Sequence, residues 1–208
     1  LALPVLGLRL GFSDESNFAE GTTTREAYDL TSEAFGPGTN GPLLLTAEVS
    51  SPEDFQVLGE LTATLQATDG VADVVGPIPN TGDPATAEAA IIRLTPTTGP
   101  QDEATSDLVN SLRQDVVPSV TDGTEMVVNV SGSVAANIDF SSYLAKRIPI
   151  FFIAVLSLSF LLLMMVFRSI VVPLKAAVMN LLSIGAAFGI IVAVFQWGWG
   201  ADLLGIQP

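Results

Sequence analysis

The sequence predicts an α+β soluble domain of β-α-β-β-α-β order followed by membrane-spanning helices, and three observations carry that prediction. Charge is segregated, because 21 of the 22 acidic residues lie between Asp14 and Asp139 and only Asp202 follows. Two long stretches toward the C-terminal end hold no charged residue. Between Gly41 and Gly132, an apolar run, a helical pattern and a second apolar run occur twice in that order, each time with Thr-Asp-Gly ahead of the last run.

The elements follow in order. TTTREAYDLTSEAF, residues 22–35, reads as a helix: Thr23 and Glu26 stand at capping-box spacing, and Gly36-Pro37-Gly38 ends it. GPLLLTAEV is an apolar strand. SPEDFQVLGELTATLQA is a helix with Phe55, Leu58, Leu61 and Leu65 near one face, and VADVVG is a second strand. GPIPNTGDPATA forms a Pro/Gly loop between the two rounds. The second round has AEAAIIRLT as a strand, then GPQDEATSDLVNSLRQDVV as a helix with Ala104, Leu108, Leu112 and Val116 on one face, then EMVVNVSG as a strand. This order is that of the split βαβ, or ferredoxin-like, motif, two helices on one face of a four-stranded sheet. The domain is expected over residues 11–147, its core over about 40–131, with residues 131–147 returning the chain to the membrane.

Two charge-free stretches come next, Ile148–Phe167 (IPIFFIAVLSLSFLLLMMVF) and Ala176–Ala201. Each is long enough to cross a hydrocarbon core of about 30 Å at about 1.5 Å per residue. One continuous helix would place Arg168 and Lys175 in lipid, at about 2.5–3.5 kcal/mol each. Two helices and a tight loop are therefore expected: 148–167, a loop at 168–173 marked by Arg168 and Lys175, and 174–197. Pro173 suits a turn or a first helical position, and Pro149 likewise suits the start of the first span. Lys146-Arg147 at one end balances Arg168 and Lys175 at the other, so charge counting leaves the orientation open. In the second span, Asn180, Gly185 and Gly189 are small or polar, and Gly185-Ala-Ala-Phe-Gly189 is a pattern that admits close approach of another helix. Trp197 and Trp199 read as interfacial anchors.

Composition excludes several classes of activity. Residues 11–147 carry five basic residues against 21 acids, a net charge of −16. A surface this negative repels phosphate backbones, so no nucleic-acid partner is expected. There is no cysteine and no histidine, which removes disulfides, thiol nucleophiles, His-based triads and the usual zinc ligand sets. The close acid pairs Asp14-Glu15, Glu53-Asp54 and Asp102-Glu103 stand near helix starts or in loops, where acids favour the helix dipole or water. No nucleophile elbow, Walker loop, EF-hand or GxGxxG is present. No catalytic residue, metal ligand or cofactor is predicted, and the chain is read as non-enzymatic. Neither charge-free stretch, 148–167 or 176–201, holds an Asp, Glu, Lys, Arg or His, so these stretches carry no proton relay of their own.

Four aromatic residues, Phe12, Phe18, Phe35 and Phe140, flank the places where the domain is expected to meet the membrane. Two readings of them stay open. They pack the domain onto the bilayer or its own helices, or some of them line an apolar path for a lipid-like ligand.

Taken together, the segments GFSDESNFAEGTTTREAYDLTSEAFGPGTNGPLLL and SFLLLMMVFRSIVVPLKAAVMNLLSIGAAFGIIVAVFQWGWG resemble the mycobacterial membrane protein large (MMPL) family of the resistance-nodulation-division superfamily. The resemblance covers nearly the whole chain. It implies that residues 1–10 end a first transmembrane helix and that the soluble domain is an extracytoplasmic porter domain. By the same resemblance Arg168 and Lys175 lie in a cytoplasmic loop of a multi-pass protein of the cell membrane, and 198–208 begin an extracytoplasmic connector. It implies proton-driven export of lipids or other hydrophobic compounds. The partners would be membrane lipids, a lipid-like substrate, further transmembrane helices and a second porter domain, and the proton-carrying Asp-Tyr pairs would lie beyond Pro208. The alternative reading is a membrane-anchored extracytoplasmic binding or sensor module without transport activity.

Overall fold

The computed structural model of the chain describes residues 4, 7, 8 and 11–200. Most of the expected helix end over 1–10 and of the expected connector over 198–208 lies outside the described residues. The chain divides into two compact units, Gly11–Ser141 and a second comprising Leu1–Leu10 with Ser142–Pro208.

In the first unit, helix α1 spans Thr23–Phe35. Its cap is Thr22, extended at φ −82° and ψ 141°, whose hydroxyl accepts from the Arg25 N–H at 3.4 Å. The sequence pattern placed this signal one residue later, on Thr23. Thr23 is already helical, and a capping side chain must sit on the last extended residue to reach back over the first turn. Strand β1 is Leu43–Glu48, helix α2 Asp54–Gln66, strand β2 Val71–Pro79 and strand β3 Ala89–Pro96. Helix α3, Glu103–Ser111, runs through a π turn at Leu112–Val116 into α4, Val117–Thr121, and strand β4 is Val128–Ser131. Pro118 accounts for the widened turn, since it has no N–H to donate and its ring crowds the carbonyl four residues back.

The four strands form one sheet in the order β2-β3-β1-β4, every neighbouring pair antiparallel. The connection through α2 joins β1 to β2 across β3, and the connection through α3 and α4 joins β3 to β4 across β1. Register sets the core. Leu43 faces Leu94, Leu45 faces both Ile92 and Val130, and Ala47 faces Ala90. Because side chains alternate along a strand, these residues share one face, and all are buried. Leu58, Leu61 and Leu65 of α2 cover that face together with Leu108 and Val109 of α3 and Leu112 of the π turn. Each fully buried Leu contributes about 1.5–3 kcal/mol relative to exposure.

Two residues differ from the expected helix faces. Ala104 is exposed, while Thr105 is fully buried. Burial of Thr105 costs little because its hydroxyl bonds the Gly99 carbonyl at 2.7 Å and lies 2.6 Å from the Thr98 hydroxyl. Gly38, in the turn that follows α1, is buried so close to the backbone of Pro96 that a Cβ there would collide with the Pro96 carbonyl.

Helix α5 spans Ser133–Phe167. Val134 and Ala135 belong to the core of the first unit, and the division between units falls later, at Ser141/Ser142. Pro149 stands inside this helix rather than at its start. The segment ahead of it, SVAANIDFSSYLAKR, is helix-competent, so the helix begins at the Gly132 turn and absorbs the loss of one backbone bond at Pro149. Helix α6 spans Val171–Ile191 and ends in a π turn, Val192–Gln196. The interruption between α5 and α6 is Arg168–Ile170. Arg168 takes φ +48°, while Lys175 lies within α6, two residues beyond Pro173. Both α5 and the helix from Val171 through Gln196 are long and apolar enough to cross a membrane.

Candidate functional site: apolar helices and the polar joints of the sheet domain

The sheet domain brings together two of the four aromatic residues. Phe12 and Phe140 meet edge to face, centroids 5.4 Å apart, although they are distant in sequence. Phe18 and Phe35 stand apart, 52% and 75% exposed. The sheet face opposite the core is open, and Val75 and Ile91 on it are exposed beside Arg93. Where β2 ends and β3 begins, a shallow depression of about 170 Å³ is lined by Ile78, Pro79, Asn80, Ala89, Ala90 and Ile91.

Two polar joints hold the helices around the core. At the first, Asp14 caps a short turn over Glu15–Asn17 by accepting from the Ser16 N–H at 2.9 Å. Gln101 Nε2 reaches back across the chain to donate to Asp14 Oδ1 at 2.6 Å and to Asn17 Oδ1 at 2.7 Å. Arg25 on α1 donates to the Ser16 carbonyl, and its Nε–H is shared between the two carboxylate oxygens of Asp29 at 2.8 and 2.9 Å. Tyr28, half-buried on α1, is held in its protonated form. Burial first, then the charges of Asp14 and Asp102, push its phenol above the ordinary 10.0, against a hydrogen bond with Ser16 and the charge of Arg25. Asn40 ties the next turn to α1 through the Tyr28 carbonyl and the Ser32 hydroxyl.

At the second joint, Arg113 in the π turn grips Asp139 in α5 with both arms of its guanidinium, at 2.5 and 2.9 Å. The same guanidinium donates to the Val130 carbonyl of β4 at 2.9 Å. Sequence reasoning missed both joints, because the partners are 26 residues apart in one and 84 and 87 in the other and follow no local pattern. No group of three acidic residues among the described residues is arranged to hold a metal ion.

In the second unit, α5 and α6 bound a cavity of about 210 Å³, with Leu156, Ser159, Phe160, Pro173, Ala177 and Asn180 among its lining. Asn180 therefore faces the other helix of this pair. Gly189 is buried and Gly185 half-buried. Arg147 lies 5.1 Å from the centre of the Tyr143 ring, and the Trp197 and Trp199 rings are 5.8 Å apart.

An acidic sheet domain on the same chain as two helices long and apolar enough to cross a membrane fits a membrane protein, and comparison with known proteins gives the class. The sequence matches the MMPL family over residues 45–204, and the chain belongs to that family. It is 36% identical over 200 residues to the membrane protein YdfJ of Bacillus subtilis, a match covering 95% of this chain and 26% of that protein. It is 30% identical over 211 residues to the probable transport protein MmpL11 of Mycobacterium leprae, covering 98% of this chain and 20% of the relative. A third relative, the mycolic acid-containing lipids exporter MmpL11 of Mycolicibacterium smegmatis, is 27% identical over 96% of this chain and 21% of its own length. The chain thus spans a fifth to a quarter of the curated relatives it matches.

Proposed function

We propose that this chain is a portion of a proton-driven transporter that exports lipids or other hydrophobic compounds across the cell membrane. The observation that carries the reading is its membership of the MMPL family, in which one relative is named a lipid exporter. The four-stranded sheet with its two interleaved crossovers is then a ferredoxin-like porter domain outside the cytoplasm. Residues 148–167 and the helix from Val171 cross the bilayer, with Arg168 on the cytoplasmic side. Phe12, Phe18, Phe35 and Phe140 contribute apolar surface to the substrate path, and α1 gates it. Gly185, Gly189 and Asn180 pack against neighbouring helices. Coupling to protons resides in intramembrane carboxylates elsewhere in the full-length protein, since α6 and the charge-free part of α5 carry none.

The test is efflux of an apolar fluorescent probe from vesicles containing the full-length protein. Efflux that starts on imposing a pH gradient and stops with a protonophore supports the reading. A protein that binds the probe yet moves none across a gradient is the anchored binding module instead.

A further inference from the structure

We propose that Arg113 is a positioning residue that makes the first turns of α5 a rigid part of the sheet domain, so that displacement of the sheet is passed into that helix. The consequence for transport rests on the transporter reading above; the mechanical claim does not.

Three features converge on Arg113. It lies in the π turn Leu112–Val116, whose first residue, Leu112, is fully buried against the sheet, so the backbone that carries the guanidinium is anchored in the core. Turns of this kind inside helices recur at functional positions. The guanidinium makes three bonds to two different elements, two to the Asp139 carboxylate and one to the Val130 carbonyl. A planar fork that matches a carboxylate bidentately fixes direction as well as distance, which a lysine ammonium does not. Asp139 stands on α5 after Val134 and Ala135, which are buried in the same core, so the clamp extends the grip of the core along the helix. β4, which offers the Val130 carbonyl, is an edge strand of the sheet, and it is held from the side that has no neighbouring strand.

The competing outcome is an ordinary surface ion pair, which contributes little to stability or order. Amide hydrogen exchange in the full-length protein separates the two. In Arg113→Gln, exchange of the amides at 136–141 is expected to rise at least tenfold while those of β1 and β3 stay as in the unsubstituted protein. Arg113→Lys, which keeps the charge and loses the fork, is expected to rise in the same direction. The reciprocal swap of Arg113→Asp with Asp139→Arg is expected to restore most of the protection. Unchanged exchange at 136–141 in Arg113→Gln overturns the proposal. If that variant unfolds and β1 and β3 lose protection too, Asp139→Asn repeats the test from the helix side with the Arg113–Val130 bond left in place. Probe efflux is read on the same samples. A severalfold loss in Arg113→Gln, recovered by the swap, is expected. Exchange that rises with efflux unchanged removes the mechanical link to transport. No efflux even without substitution removes the transporter reading and leaves the exchange result to decide the clamp.

Discussion

The rings of Phe12 and Phe140 meet edge to face at 5.4 Å, joining the segment that enters the sheet domain to helix α5. Each ring keeps a large exposed fraction, 37% for Phe12 and 50% for Phe140. The pair therefore holds two segments together and also presents apolar surface.

That double role separates the four aromatic residues experimentally. Phe12→Ala and Phe140→Ala are expected to show a coupling of about 0.5–1.5 kcal/mol in a double-mutant cycle on the stability of the sheet domain. Phe18→Ala and Phe35→Ala are expected to change stability by no more than about 0.5 kcal/mol, since both rings stand exposed. Should all four lower probe efflux, the shared effect belongs to the substrate path, because only two of them alter stability.

Gly38→Ala is expected to be among the most damaging single-methyl changes in the sheet domain. Its Cβ would fall on the Pro96 carbonyl, a backbone atom that cannot swing aside. Overpacking of this kind costs about 1–3 kcal/mol, and the thermal midpoint should fall accordingly. Gly59→Ala is the control, since a Cβ there meets open space, and on α2 it should be neutral or stabilising.

Arg168→Gly is expected to stabilise the turn between α5 and α6. Arg168 takes φ +48°, a left-handed conformation that costs an L-residue about 1–2 kcal/mol and glycine nothing comparable. A raised thermal midpoint in detergent supports this. If the midpoint falls instead, the side chain contributes more at that turn than the backbone strain it imposes.

Tyr28 supplies a pH signature. Burial and the charges of Asp14 and Asp102 raise its pKa above the ordinary 10.0. A group whose folded pKa is raised contributes stability that is fully present below its unfolded value and is lost as pH rises through the folded one. The contribution of Tyr28 is therefore intact at neutral pH and fades above about pH 10. An alkaline absorbance titration should show its step move downward in Asp14→Asn and in Asp102→Asn and vanish in Tyr28→Phe. A step that stays put in both Asn variants would sink the electrostatic part of this account.

Much of the sheet domain was legible in the sequence. The apolar runs in GPLLLTAEV and AEAAIIRLT already mark two of the strands, and the spacing of Leu58, Leu61 and Leu65 marks a helix face, whereas the inward side of each strand came from the structure. The misplacements have local causes. Thr22 rather than Thr23 caps α1 because the cap depends on one backbone dihedral, and Thr105 replaces Ala104 in the core because its hydroxyl finds partners only in the folded loop. Pro149 looked like a helix start, yet the helix was already under way sixteen residues earlier, at Ser133.

What the sequence determined by itself is whatever a short window of side chains decides: the strand and helix segments, the leucine face of α2, the two charge-free stretches, and the polar island at Arg168 that forbids one continuous span. Hydrophobic period and hydrocarbon thickness act over neighbouring residues, so those features need no knowledge of the fold. Only the tertiary structure decided the strand order β2-β3-β1-β4, the meeting of Phe12 with Phe140, and the two joints at Gln101–Asp14 and Arg113–Asp139. Those contacts join groups that are far apart in the chain. They exist because burying one leucine-rich face of the sheet under α2 and α3 carries their segments into reach of one another.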